Sequence, residues 1–329
     1  MIYDKEQLIQ NSIERLTREI KNQTGFQIDI DTLTGIKSRI TDQKFYEVTP
    51  SEYLPVEVGE SPWAEDRLTY KNFSPADDFE TGIIETGSNN GRMARVDTQV
   101  EGIRVPRKVW GKTINYNIPE LAQAQLAGNW SLVEQKEMSR VKNWQLGIQK
   151  IAFLGSDTDT RIKGLLNQTD VTDNLTVITK KINTMTPTEF QAFLGSILGA
   201  YWDNSNSTVL PDTFVIPTDD YLGLVNSADE SYPLKSRLER IKESFIAATG
   251  NANFKVLPLA YGQSTRNSLG VERYVLYRQD AESLTMEIPV DYTTTIQDTI
   301  NGFDYESVGY GQFSGVKAFR PAEMLYFSY

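Results

Sequence analysis

The chain reads as an α+β protein, and three observations predict that class. A long helical stripe runs from Ser131 to Leu154, where Val141, Trp144, Ile148 and Ile151 recur at steps of three and four. A hairpin signal, Asn90-Gly91, sits between two extended runs. From Asn183 to Met286, helical and strand patterns alternate, which implies an α/β subdomain.

The first element is an amphipathic helix from Asp4 to Lys21. Ile9, Ile13, Leu16 and Ile20 share one stripe, and Glu14, Arg15, Arg18 and Glu19 line the outside. Asp4 is placed to cap it, with Gln7 three residues on, and Thr24-Gly25 ends it. Its apolar face must dock, either on its own domain or along a neighbouring chain. In Gln27–Pro62 the apolar residues Phe45, Tyr46, Val48, Tyr53, Leu54, Val56 and Val58 predict short extended pieces, interrupted by Pro50 and Pro55.

Leu68 to Ile118 is β-rich. Phe79–Thr86 and Arg92–Val100 flank the turn, where Asn90 and Gly91 both accept positive φ. Trp110, Ile114, Tyr116 and Ile118 carry the return limb to Pro119. The residues alone describe a hairpin folded on its own domain. Pro119 at a first helical position and Glu120 at the positive end start a helix. Gly128-Asn129 separates it from the long one. Counted from Ser131, that helix has about 24 residues and is roughly 36 Å long. Arg140, Lys142, Asn143, Gln149 and Lys150 fill its other faces, and Gly155 suits the left-handed position after its last turn. One modest apolar stripe on so long a helix predicts a strut packed along one side.

Val171–Lys181 is expected as a strand. Thr186 and Glu189 form a capping-box pattern, opening a helix with a broad face of Phe190, Phe193, Leu194, Ile197, Leu198 and Tyr201. Phe214–Pro217 reads as a short buried strand followed by a helical turn to Tyr221. Leu234–Thr249 reads as a helix ended by Gly250, and Phe254–Pro258 and Arg273–Tyr277 read as strands. From Leu284 onward, Phe303, Tyr305, Val308, Tyr310, Phe313, Val316 and Phe319 alternate with glycines, predicting strands with bulges. Met324–Tyr329 is a last strand, expected beside the strut helix.

At 329 residues the chain can bury a large core and hold two or three subdomains. It has no cysteine and no histidine. Disulfides, thiol nucleophiles, serine–histidine catalysis and histidine-ligated zinc are therefore excluded. The net charge of −11 disfavours a general nucleic-acid binder, which needs a basic surface to displace counterions. No apolar run approaches the ~18 residues of a membrane span. Met-Ile-Tyr-Asp-Lys-Glu is no basic-then-apolar signal, so the chain is expected to stay in the cell that makes it.

The acidic clusters have ordinary readings. Asp157 and Asp159 share a loop with Arg161 and Lys163, which cancel charge where a cation site would need ligands. Asp77-Asp78 and Asp219-Asp220 are adjacent, whereas a glycosidase brings its two carboxyl groups from separate strands; turn or helix-start roles fit better. Gly87–Arg92 lacks a phosphate loop's Gly-Lys-Ser/Thr ending. The expectation is no enzyme, with no catalytic, cofactor-binding or metal residue. A carboxylate-dependent hydrolase is the alternative from another class.

Three words occur in a telling order: Ile151-Ala-Phe-Leu-Gly155, Lys163-Gly-Leu-Leu-Asn167, and Gly315-Val-Lys-Ala-Phe-Arg-Pro321. Together they resemble the major capsid proteins of tailed phages, the Hong Kong 97-type shell fold, and in particular its encapsulin-like branch. The likeness runs from about Ser61 to Tyr329. It implies an N-terminal arm and lead-in (1–60), an extended β-hairpin loop with flanking strands (61–118, tip 87–91) and a peripheral domain with a spine helix (119–182, helix 131–154). An α/β axial domain (183–286) and C-terminal strands returning to the peripheral domain (287–329) complete it.

The resemblance also implies a function. The chain would form pentamers and hexamers that close an icosahedral shell around phage double-stranded DNA, held without sequence-specific binding. It would assemble in the host cytoplasm into the virion capsid, with portal, scaffold and decoration proteins as partners and no membrane. The hairpin tip (Gly87, Ser88, Asn89, Asn90, Gly91, Arg92) and the helix stripe (Ile9, Ile13, Leu16, Ile20) are the implied intersubunit contacts. An acidic inner wall would repel packed DNA. Some shells of this fold join a hairpin lysine to a neighbour's asparagine. This tip has no lysine, and Lys71 and Lys108 lie away from it, so no such cross-link is expected. An encapsulin nanocompartment around a protein cargo is the alternative within the same fold.

Overall fold

A computed structural model describes residues 44–73, 99–126, 132–226, 228–229 and 232–329. The helix stripe Ile9, Ile13, Leu16, Ile20, the tip Gly87–Arg92, Asp77-Asp78 and Gly128-Asn129 lie outside the described residues. The chain divides into two compact units, one of residues 1–46 and 116–135 and one of residues 47–115 and 136–329.

In chain order the described elements begin with a short helix α1 (Pro50–Tyr53) and strands β1 (Val56–Val58), β2 (Asp66–Phe73) and β3 (Gln99–Asn117). Helices α2 (Ile118–Leu126) and α3 (Leu132–Leu154) follow, then β4 (Thr172–Asn174), α4 (Pro187–Asn204), β5 (Thr213–Pro217) and α5 (Thr218–Asn226). A small hairpin, β6 (Ala228–Asp229) and β7 (Tyr232–Ser236), leads to α6 (Arg237–Thr249), β8 (Lys255–Leu259) and β9 (Arg273–Tyr277). The last part is mostly strand: β10 (Leu284–Ile288), β11 (Val290–Thr294), β12 (Asp298–Thr299), β13 (Asp304–Ser314), β14 (Val316–Ala318) and, after a 3-10 turn at Pro321–Glu323, β15 (Met324–Ser328).

In the smaller unit, Asn117 caps α2: its Oδ1 accepts the Glu120 N–H at 2.8 Å, one of the free donors of the first turn. In the larger unit α4 carries the expected capping box between Thr186 and Glu189. A second box lies between Ser236 and Glu239, so α6 starts at Arg237. The sequence reading began that helix at Leu234, but residues 234–236 finish β7. Gly250 ends α6 at φ 68°, as expected. The strand expected over Val171–Lys181 shrinks to β4. Asn174 Oδ1 accepts the N–H groups of Thr176 and Val177 at 2.9 and 3.1 Å, and this side-chain turn diverts the backbone from the ladder.

Three larger sheets organise the bigger unit. One runs β11-β13-β3-β2, with β12 also on β13; a second runs β1-β10-β14; the third runs β4-β15-β9-β5-β8. Helix α3 lies on the first. Its Trp144 ring sits 5.3 Å from Trp110 and 6.1 Å from Phe313. The glycines of β13, read from sequence as bulges, make room for this helix instead. A Cβ on Gly311 would lie 2.5 Å from the Trp144 ring, and one on Gly309 would lie 2.7 Å from Arg140 Nε. The register irregularity of this pair falls between Val290 and Thr293, on β11.

The third sheet separates two cores by strand alternation. Val215, Val275, Tyr277, Met324 and Tyr326 join Trp144, Ile148 and Phe153 of α3. Their neighbours Phe214, Tyr274, Leu276, Leu325 and Phe327 join Phe190, Phe193 and Ile197 of α4 and Ile241 and Phe245 of α6. The last strand, expected beside the strut helix, gives that helix one face only. Its other face completes the α/β core.

Candidate assembly surfaces

The three recognisable words meet at the C-terminal end of α3. A helix leaves its last carbonyls without partners; here the following corner supplies them. Gly155 (φ 75°) donates to Ile151 O at 3.0 Å, Leu165 N–H to Ala152 O at 2.8 Å, and Leu166 N–H to Phe153 O at 3.0 Å. Asn167 closes the set. Its Nδ2 donates to Leu154 O and its Oδ1 accepts the Gly164 N–H, both at 2.6 Å. The third word docks on this corner through Val316 N–H to Lys163 O at 2.7 Å and Gln168 Nε2 to Val316 O at 2.8 Å. The corner is too close for side chains. A Cβ on Gly164 would sit 2.4 Å from the Phe153 carbonyl carbon, and one on Gly315 would sit 2.7 Å from Lys163 O.

The base of the predicted hairpin is a ribbon of β2 and β3, paired antiparallel from Asp66↔Pro106 to Phe73↔Gln99. It is anchored by an ion network with a buried pair at its centre. Arg107 donates to Glu287 Oε2 through Nη2 at 2.6 Å and Nε at 3.1 Å, and to Ser61 O at 2.8 Å. Glu287 Oε1 also receives Arg67 Nη1 at 2.5 Å, and that same nitrogen reaches Glu57 at 2.8 Å. The Arg107 and Glu287 side chains are 1% and 3% exposed, so this pair depends on mutual compensation and not on water. A second network fastens α3 to the sheet: Arg140 donates to Ser307 O at 2.6 Å and Tyr292 Oη at 2.8 Å, and pairs with Glu137.

The carboxylate clusters have structural roles. Asp220 is buried and accepts from the Ile182 and Asn183 N–H groups at 2.9 and 2.7 Å and from the Tyr274 hydroxyl at 2.8 Å. Burial raises its pKa in spite of these three donors. Asp219 accepts from Gln263 Nε2 instead, so the adjacent pair forms no dyad. Asp157 pairs with Lys150, while Asp159 pairs with Arg161 at 2.8 Å and Lys108 at 3.0 Å. Hydrogen bonds from Arg161 and Lys108 hold Asp159 far below the usual carboxylate range. Among the described residues no group of three or more acidic, histidine or cysteine side chains is placed to hold a metal. No described helix is long and apolar enough to cross a membrane.

None of the sequence-predicted contact residues is among those described, so the structure neither brings them together nor separates them. Sequence reasoning counted Phe303 among the C-terminal strand residues, but it lies in the bend before β13, on a surface that reasoning did not single out, the loop and hairpin from Thr294 to Asp304. There Ile296 is 92% exposed, Ile300 60% and Phe303 48%. Large apolar side chains grouped in solvent mark contact surfaces. The available signal was three such residues in an otherwise polar stretch with turn residues.

A family model described as "Major capsid protein" matches residues 82–329. Among solved structures, the chain is similar to the capsid of Myoviridae phage XM1, with a TM-score of 0.74 and 17% identity over 93% of this chain and 99% of that one. It is also similar to a chain from Mycobacterium phage Ogopogo (TM-score 0.56, 8% identity, 90% and 96% covered). The capsid of a native GTA particle is a third match (TM-score 0.53, 10% identity, 94% and 98% covered). No curated protein matches in sequence.

Proposed function

The chain belongs to the major capsid protein family and carries the Hong Kong 97-type shell fold, and on that premise we propose that it is the tile of a phage head, working by contact with copies of itself. Five- and six-membered rings of the α/β region close a shell around double-stranded DNA. The hairpin beyond Phe73 and Gln99 reaches over a neighbour, and the N-terminal helix straps another. Portal, scaffold and decoration proteins act with it, and assembly takes place in the host cytoplasm.

The observation that carries this reading is the family match over residues 82–329. The physical support is a clamped framework: a long helix held to a sheet through Arg140 and Trp144, and a ribbon base held by Arg107 and Glu287. No step needs bond chemistry, so the tile needs neither a catalytic residue nor a cofactor. Many modest contacts, repeated by symmetry, add up to a closed particle.

The test is size-exclusion chromatography and electron microscopy of the expressed chain with its neighbouring phage proteins. Rings or megadalton shells are expected, and a chain that stays monomeric under those conditions overturns the proposal. The contents of purified particles separate the two shell readings: DNA marks a phage head, and a protein cargo marks a nanocompartment.

A further inference from the structure

The segment from Gly59 to Asp66 holds a tryptophan in an unusual conformation. Trp63 has φ 68° and Ser61 has φ 48°, a left-handed region that residues other than glycine rarely adopt. Three hydrogen bonds keep the backbone there. Gln312 of β13, 2% exposed, accepts the Trp63 N–H at 2.8 Å and donates to Ala64 O at 2.7 Å. Arg107 donates to Ser61 O at 2.8 Å. Tyr310 and Gln312 alternate with Gly309 and Gly311, which make room for Arg140 and Trp144 of α3, so they lie on the opposite face of the sheet. On that face the Trp63 ring sits 5.7 Å from Tyr310, yet the residue stays 57% exposed. The chain's own fold gains little from an indole left in solvent on strained backbone.

The neighbouring residues indicate what covers it. Glu60, Glu65 and Asp66 lie within three positions of Trp63, all exposed, and no lysine or arginine occurs from residue 59 to 66. Glu60 stands 3.7 Å from Arg67, which already serves Glu57 and Glu287, and Asp66 stands 3.8 Å from Arg104. Glu65 has no ion pair among the described residues. We infer that Trp63 is the anchor for an arginine-bearing segment of a different protein. A guanidinium stacks on the indole face, the best aromatic partner for a cation, while its N–H groups donate to carboxylate oxygens. The same carboxylates would repel a nucleic-acid backbone. A basic partner also suits the site better than a second copy of the chain, because each copy brings the same net charge of −11. The inference goes beyond the shell reading and does not depend on it.

Trp63→Gly is the informative variant, since it removes the ring and accepts the positive φ. The probe is the blocked peptide Gly-Arg-Gly-Arg-Gly, and its control carries neutral citrulline in place of each arginine. Full-length chain is labelled with fluorotryptophan, and the Trp63 signal is the one that Trp63→Phe removes from the fluorine NMR spectrum. The arginine peptide is expected to shift that signal, and the citrulline peptide to leave it in place. In calorimetric titration Trp63→Gly is expected to weaken binding of the arginine peptide at least about threefold, without lowering the melting temperature of the chain. Glu60→Gln with Glu65→Gln is expected to weaken it by a similar factor. A Trp63 signal that the arginine peptide does not move overturns the inference. Equal binding by the wild type and Trp63→Gly does the same, leaving only the general attraction of an acidic chain for a basic peptide. A lowered melting temperature in Trp63→Gly would assign the ring to the chain's own sheet and sink the proposal. A Trp63 signal that shifts when the chain assembles alone, with the particles then refusing the peptide, replaces it with a contact between copies.

Discussion

Gly164 shows how little space the corner after α3 allows. A methyl group there meets the Phe153 carbonyl carbon at 2.4 Å, which is backbone and cannot rotate away. Gly155 adds a positive φ of 75° to a contact of 2.5 Å with Ile162 O. Gly164→Ala and Gly155→Ala should each destabilise the subunit by roughly 2–4 kcal/mol, read as a lower denaturant midpoint at unchanged slope. An unchanged midpoint would show that the corner can relax. Glu287 tests the opposite physics. Glu287→Ala leaves Arg107 buried without its partner, and should cost about 3–5 kcal/mol by the same measurement. Exposed ion pairs such as Lys235–Glu243 should matter far less, because water screens both members.

The helices carry their own tests. The Glu189 carboxylate, in the first turn of α4, is drawn from its ordinary 4.5 to about 2 by Lys180 and by the Thr186 N–H and hydroxyl. A lowered carboxylate stabilises the fold above its unfolded pKa and loses that contribution as pH falls. Wild-type chain should therefore exceed Glu189→Gln in melting temperature by a constant margin above about pH 5, and the margin should shrink between pH 4.5 and about 2. A margin that does not change with pH would mean that the capping box works without its charge. For α3, Gly311→Val should push Trp144 off β13 and cost roughly 1–3 kcal/mol, with a change in tryptophan fluorescence.

At the scale of the whole molecule, deleting Gly87–Gly91 should leave a subunit with unchanged melting temperature that assembles poorly. Normal shells from that deletion would remove the hairpin from the contact set. Particles boiled in detergent should run as single chains, since the tip holds no lysine. A surviving ladder would reveal a covalent bond made elsewhere.

The sequence by itself determined what depends on residues a few positions apart. The span of α3, the caps at Thr186 and Gly250, and the all-buried strand at Phe214 were legible because periodicity and capping are local. The order of three short words also pointed to the shell fold. What only the tertiary structure decided is non-local. Arg107 meets Glu287 across 180 positions, Asp220 meets Tyr274 across 54, and the glycines of β13 face Trp144 and Arg140. An open cleft also draws its walls from β3, the loop after α3 and β14. Charge and size are written at each position, but their pairing is set by which strands become neighbours. In this chain that depends on a last strand, β15, entering the middle of a sheet and giving one face to each of two cores.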